Sequence, residues 1–415
     1  MNRAQPLFQN DAIVLGILMT IIAVIFTTAA SKNKFCRKFY KYVPTVLLCY
    51  FVPSIFATLN IISGEESRLY FVASRYLLPA CMILLCLSVD LKEIIKLGPK
   101  ALIMFFTATV GIILGAPIAY LIIKFTYPAI LVGEGQDAIW RGMTTIAGSW
   151  IGGGANQTAM KEVFLVGDKV FSMMVAVDVI VASLWMAVLL FFSPHADIID
   201  KKTGADNSSI KRLQVKIEDY HRQIAKIPDF TDTVLILAFG FGGTAIAHFI
   251  GNNISQWIGI NAPYLARFSL TSSFFWLIVI STAIGVALSF TNARKLEGAG
   301  ASRIGSVFLY VLVATIGMNM NIMAIFTNPG LFVLGIIWIM IHVILLLVVA
   351  KLIKAPLFFV AVGSQANIGG AASAPIVAAA FHPTLASVGV LLAVLGYVIG
   401  TFGAWVCGII LQTIA

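Results

Sequence analysis

Apolar residues gather into twelve long runs along this chain, at 12–30, 43–61, 72–91, 101–123, 138–165, 169–192, 231–250, 272–290, 304–325, 330–353, 356–380 and 385–411. A helix of about 20 residues spans the hydrocarbon of a bilayer, so each run predicts a membrane helix. Two of the runs are interrupted at mid-length: 138–165 carries "GSWIGGGANQT" and 356–380 carries "GSQANIGGAASAP". A glycine inside a helix costs about 1 kcal/mol relative to alanine, so Gly152, Gly153 and Gly154 in succession are not what a plain crossing would carry.

Each interrupted run can be a full crossing or a re-entrant hairpin that dips and returns, and the basic residues arbitrate. With an uncleaved first span and the N-terminus outside, twelve full crossings place only 11 of the 28 Lys and Arg inside. If both interrupted runs return to the side they started from, the inside loops hold 20 of the 28, among them Arg294, Lys295, Arg303, Lys351 and Lys354 in short loops where the positive-inside rule is strongest. The first run is read as uncleaved because its basic cluster, Lys32 to Lys41, follows it where a signal peptide's would precede it.

Five crossings plus a hairpin make an odd number, so the second half starts upside down relative to the first. The expected fold is therefore an all-α polytopic membrane protein of two inverted repeats of five spans, residues 1–192 and 231–415, each with a glycine-broken segment, and with both termini outside. Ile151 to Asn156 aligns with Ile368 to Ser373, Phe164 with Phe381, Asp90 falls near Asn319, and Pro99 near Pro329. Residues 193–230 form the one sizeable polar stretch, read as a solvated cytoplasmic linker with a short amphipathic helix over 210–225.

Composition narrows the function class. At 60% hydrophobic and 11% charged residues the chain does not read as a soluble enzyme, and its net charge of +10 sits in short loops between spans, which explains it by membrane orientation without nucleic acid. There is no CxxC or His/Cys metal spacing, so neither disulfide nor metal site is expected, and no HExxH, GxSxG or phosphate-binding glycine loop points to an enzyme.

Candidate chemistry lies at the breaks. Unpaired backbone groups survive in hydrocarbon only where protein buries them or where they line a watered cavity. Broken helices expose N-terminal N–H groups suited to carboxylates and carbonyls suited to Na⁺. The expected substrate-binding residues are Ser149, Gly152, Gly153, Gly154, Asn156, Gln157 and Thr158 from the first break and Ser364, Gln365, Asn367, Gly369, Gly370 and Ser373 from the second. Asn156 and Thr158 are placed to cap the second leg of their segment, and Ser373 precedes Pro375 as a helix start would. Asp178 falls about 15 Å into its span, where a carboxylate costs about 2.5–3.5 kcal/mol and marks an ion pathway. It is the expected ion-coupling residue, with Asn319 and Asn321 as candidates from the second half and Asn156, Gln365 and Asn367 completing a possible Na⁺ site. His342 is open between an ionic and a structural role, and Arg141 between drawing in an anion and anchoring its leg at the interface.

Two glycine-broken segments in opposed halves and an acidic residue in the helix after the first break resemble the superfamily of cation:proton antiporters and bile-acid:sodium symporters. "GSWIGGGANQTAM" and "GSQANIGGAASAP" look most similar to its YjcL-like branch, with glutamate:sodium symporters as distant relatives. The resemblance covers nearly the whole chain. It implies a scaffold and a mobile core that shuttles by elevator-like motion, no cofactor beyond Na⁺, a small-molecule solute as partner, and often a homodimer. Antiporter relatives carry paired acidic or Asn-Asp residues, whereas here Val177 precedes Asp178. That departure puts sodium-coupled symport of a small, anionic organic solute across a bacterial cytoplasmic membrane ahead of monovalent cation/proton exchange.

Overall fold

A computed structural model describes residues 6–43, 45–64, 66–88, 94–95, 97–205, 227–319, 328–382 and 385–415. Asp90, Asn321 and the helix expected over 210–225 lie outside the described residues. The described residues are helical throughout apart from turns, short connectors and one isolated bridge between Phe8 and Ile62.

In chain order the helices are α1 (Asp11–Ala29), α2 (Lys34–Tyr42), α3 (Thr45–Thr58), α4 (Leu69–Leu87), α5 (Pro99–Thr126), α6 (Ile139–Val163), α7 (Asp168–Phe192) and α8 (Ala196–Thr203). After the linker come α9 (Phe230–Asn261), α10 (Ser273–Ser289), α11 (Ala301–Asn319), α12 (Gly330–Ile353), α13 (Leu357–Ile368), α14 (Gly370–Phe381) and α15 (Ala386–Ile414). Among the described residues, eight helices are long and apolar enough to cross a membrane by length and composition, and α3, α10 and α13 are shorter apolar helices beside them. This is a multi-pass membrane protein.

The local chemistry of α4 shows how sequence shapes a span. Pro79 has no N–H and cannot bond the carbonyl of Arg75 one turn earlier, and the helix widens into a π-turn over Ala73–Leu77. His248 of α9 bonds the Arg75 carbonyl instead, at 2.8 Å. A proline defect thus becomes an interhelical tie.

Contacts at the helix ends sort the molecule into two faces. At the termini face, Leu7 N–H bonds the Asn60 carbonyl, Ser67 bonds Asp11 at 2.7 Å, and Lys124 Nζ bonds the Ile414 carbonyl at 2.7 Å. At the linker face, Lys100 Nζ bonds the Lys354 carbonyl at 3.1 Å and the Asp200 carboxylate of α8 accepts the Leu357 N–H at 2.8 Å. Among the described residues ten helices run between these faces; α6, the α13–α14 pair and the short α2 and α8 do not.

Both broken segments are hairpins. Gly153 in α6 has φ 75° and ψ −176°, outside any helix, and splits it into legs 139–152 and 154–163. The legs return to one face: Gly167 N–H bonds the Gln136 carbonyl at 2.8 Å, Arg141 donates to the Phe164 carbonyl, and the Trp140 and Phe164 rings touch. In the second segment Phe358 meets Phe381 edge to face at 5.5 Å, closing α13 on α14 after a turn at Gly370, φ 57°. The first hairpin opens where α7 begins and the second beyond its end, so the two mouths lie at opposite ends of a helix about 37 Å long.

The helices pack as two groups: α1, α3, α4, α9, α10 and α11 chiefly with one another, and α5, α6, α7, α12, α13, α14 and α15 chiefly with one another. Small residues set the second group's spacing, as expected where lipid gives helices no hydrophobic reason to associate. A Cβ on Gly115 would lie 2.7 Å from the Trp338 ring, and one on Gly400 of α15 would lie 2.6 Å from the Cα of Gly152.

Candidate functional site

The hairpin tips meet a cavity of about 350 Å³ in the middle of the molecule. Gly153, Gly154, Ser149 and Gln157 reach it from the first hairpin, Gln365, Gly369, Gly370 and Ser373 from the second, and Asp178 from α7. Tyr50 of α3 and Ser306, Leu309, Tyr310 and Val313 of α11 form the wall contributed by the first group of helices, and Tyr397 of α15 stands against Gly153. Two segments more than 200 residues apart in the chain, each broken by glycine, share one space.

The three glycines do different work. Gly153 sits at a φ that side-chain-bearing residues rarely adopt, so it makes the turn. Gly152 faces Gly400, where a Cβ would come within 2.7 Å of its Cα. Gly154 opens onto the cavity, with only Leu309 near at 3.8 Å.

Asp178 is 5% exposed. Trp150 Nε1 donates to one carboxylate oxygen at 2.7 Å and Gln157 Nε2 to the other at 2.8 Å. Gln157 Oε1 in turn accepts from the Tyr50 hydroxyl at 3.2 Å. These donors are neutral, and no basic side chain is among the described residues lining the cavity or paired with Asp178. The carboxylate is held in place but its charge is not balanced, the condition under which a cation or a proton is favoured there. A second acceptor waits opposite: Gln365 donates to Ser373 at 2.7 Å, while its buried Oε1 has no partner.

Several expected site residues brace the hairpins instead of facing the cavity. Asn156 and Thr158 do not cap the second leg: caps accept from free N–H groups, whereas these side chains donate to carbonyls one turn back, Asn156 to Gly152 at 2.8 Å and Thr158 to Gly154 at 3.1 Å. Asn156 Oδ1 accepts from Thr401 of α15 at 2.6 Å. Asn367 does the same in the second hairpin, donating to the Gly363 and Phe105 carbonyls and accepting from Thr109 of α5 at 2.8 Å. With their oxygens occupied, neither asparagine joins Asp178 and Gln365 at the cavity. Ser364 is held by Trp185 and His342, each at 2.8 Å, and His342 Nδ1 meets the Ala108 carbonyl at 3.0 Å. This chain satisfies both ring nitrogens and gives His342 a structural role. Pro375 lies at the sixth residue of α14, beyond the first turn, because the leg starts at Gly370. Asn319 ends α11 beside Gly64 and bonds the Thr315 carbonyl, apart from the cavity lining. Arg141 ties the mouth of the first hairpin.

Tyr50, Thr109 and Thr401 each add one polar atom to an apolar run, and Trp150 reads as packing beside the break, so none of the four stood out from the residue pattern. For α15 a signal was there to read: Gly396, Gly400, Gly403 and Gly408 recur at three- to five-residue spacing and all meet the first hairpin.

The family model described as "Protein of unknown function (DUF819)" matches residues 16–414. The chain belongs to the DUF819 family. It is also similar to "Uncharacterized membrane protein YjcL" of Bacillus subtilis (strain 168), 25% identical over 348 residues that cover 81% of this chain and 82% of the relative. The matched range includes both hairpins and the residues named above as lining the cavity.

Proposed function

We propose that this DUF819 protein is a secondary active transporter that carries a small anionic organic solute with Na⁺ across a bacterial cytoplasmic membrane. The observation that carries the reading is the uncompensated Asp178 carboxylate in a cavity shared by two oppositely opening hairpins. Na⁺ takes the Asp178 oxygens and the free Gln365 Oε1, which are hard oxygen ligands. The second legs of both hairpins start at the cavity, at Gly154 and Gly370, and bring two helix N-termini with roughly half a positive charge each. With Asp178 neutralised by Na⁺, these ends hold the solute's carboxylate without any lysine or arginine.

In this reading the halves are inverted repeats in the cation:proton antiporter and bile-acid:sodium symporter superfamily, and the group that holds both hairpins is the moving core. The linker face, with Lys100, Lys201, Lys202, Lys351 and Lys354, faces the cytoplasm, which puts both termini outside.

A second reading, monovalent cation/proton exchange, is favoured by one observation: the described residues lining the cavity include an acid and no basic side chain. Thermal stabilisation of the purified protein against a panel of organic acids, each with and without Na⁺, followed by uptake into proteoliposomes, separates the two. Symport requires a solute that stabilises the protein only beside Na⁺ and is taken up only down a sodium gradient, with loss of coupling in Asp178→Ala. Collapse of a pH gradient on adding Na⁺ or K⁺ alone would establish exchange. Failure of both would remove sodium-coupled symport of the acids tested and cation/proton exchange alike.

A further inference from the structure

We propose that α2 is a docking surface for the anionic phospholipids of the membrane in which the protein sits. The helix follows α1 at the linker face and reads "KFCRKFYKY". At 100° per residue its basic positions, 34, 37, 38 and 41, fall on one side and its aromatic positions 35 and 39 on another.

Three observations orient it. The Tyr40 hydroxyl bonds Thr28 Oγ1 at 2.6 Å and the Ile25 carbonyl at 3.0 Å, which pins α2 to the last turn of α1 and fixes its roll. Phe35 is then left 76% exposed and Phe39 39%, one turn apart on the same side. Lys32, Lys34, Arg37 and Lys38 are exposed, and none has a carboxylate partner among the described residues. Nor is there one nearby in sequence, since no Asp or Glu occurs between Asp11 and Glu65.

A basic helix with unpartnered cations and bare phenylalanines, tethered at the end of a membrane span, matches one surface chemically. Anionic headgroups meet the lysines and the arginine while the rings enter the acyl boundary beneath them. A soluble anion would satisfy the charges and leave the rings in water.

The chain supplies its own reporter. Cys36 lies on α2 and is partly exposed, whereas Cys49, Cys81, Cys86 and Cys407 are fully buried. The intact protein, labelled at Cys36 with a polarity-sensitive dye, is reconstituted into nanodiscs of phosphatidylcholine alone or mixed with phosphatidylglycerol, with headgroup-depth nitroxide lipid as quencher. The expected result is a blue shift and roughly twofold stronger quenching in the anionic discs, lost at high salt and lost in K34Q/R37Q/K38Q.

Equal spectra in the two lipids, or a phosphatidylglycerol response that survives the triple substitution, would overturn the proposal. So would the same shift produced by inorganic phosphate in neutral discs, which would make α2 a soluble-anion site. Should the triple variant not reconstitute, the salt titration of the unsubstituted protein decides alone: a response indifferent to salt refutes the electrostatic docking.

Discussion

Gly153 shows how a single residue can be required by backbone geometry while its side-chain space is open. Its φ of 75° is strained for any L side chain, and the nearest atom to an added Cβ, Tyr397 Cε1, is 3.3 Å away. With ψ at −176° the residue lies in a region essentially reserved for glycine, so Gly153→Ala is expected to cost about 1–3 kcal/mol, read as a lowered Tm. Gly400→Ala is a different injury, because its Cβ would press on Gly152 Cα and the Asn156 amide at 2.6 Å. Overpacking of this kind costs about 1–3 kcal/mol, and pairing the change with a further small-to-large substitution at Gly152 should worsen it more than additively. Tyr50 and Gln157 form the one described hydrogen-bonded path from the first group of helices to Asp178. Tyr50→Phe keeps the ring and removes the donor. It should leave the stability within about 1 kcal/mol of wild type but change the Na⁺ concentration needed for stabilisation. An unchanged Na⁺ dependence would disconnect Tyr50 from the ion site.

At the scale of elements, the two breaks were legible because glycine runs contradict helix propensity, and the charge balance favoured hairpins over crossings. The bracing roles of Asn156, Thr158 and Asn367 were not legible. A polar side chain beside a break can cap or donate backward, and the choice rests on Thr401 and Thr109, which sit 245 and 258 residues away in sequence. Tyr50 and Trp150 were hidden because an aromatic residue in an apolar run reads as packing. One further tie joins elements of different groups: Arg75 and Tyr70 of α4 both bond Glu162 at the end of the first hairpin, the arginine at 2.9 Å. These side chains are partly exposed, so Glu162→Gln should lower stability by no more than about 1 kcal/mol. If the hairpin group moves against α4 during transport, the same substitution should alter the uptake rate by a larger factor than its stability cost implies. Equal, small effects on both would reduce the contact to a surface ion pair.

Seen whole, the molecule places the unbalanced charge of Asp178 and the free oxygen of Gln365 at the junction of two helix groups. In the proposed transport reading, motion of one group against the other exposes them alternately to either face. Single cysteines at Lys169 and Arg294 provide the global check. They belong to the termini and linker faces respectively, and impermeant thiol reagents should reach them from opposite sides of the membrane. Labelling of both from the same side would invalidate the arrangement of faces.

The seam between the first hairpin and α15 has a consequence for how the protein is made. Gly396, Gly400, Gly403 and Gly408 supply the surface on which that hairpin rests, yet they leave the ribosome about 250 residues after it. At roughly 5–20 residues per second that is a delay of tens of seconds. Throughout it Asn156, beside the hairpin tip, has no Thr401 to meet and the hairpin has no α15 to rest on. A chain ending before residue 386 should therefore insert its early spans and leave its first hairpin open to protease, so that the stop codon's position, and not the mutation's distance from the cavity, decides whether the centre of the molecule forms.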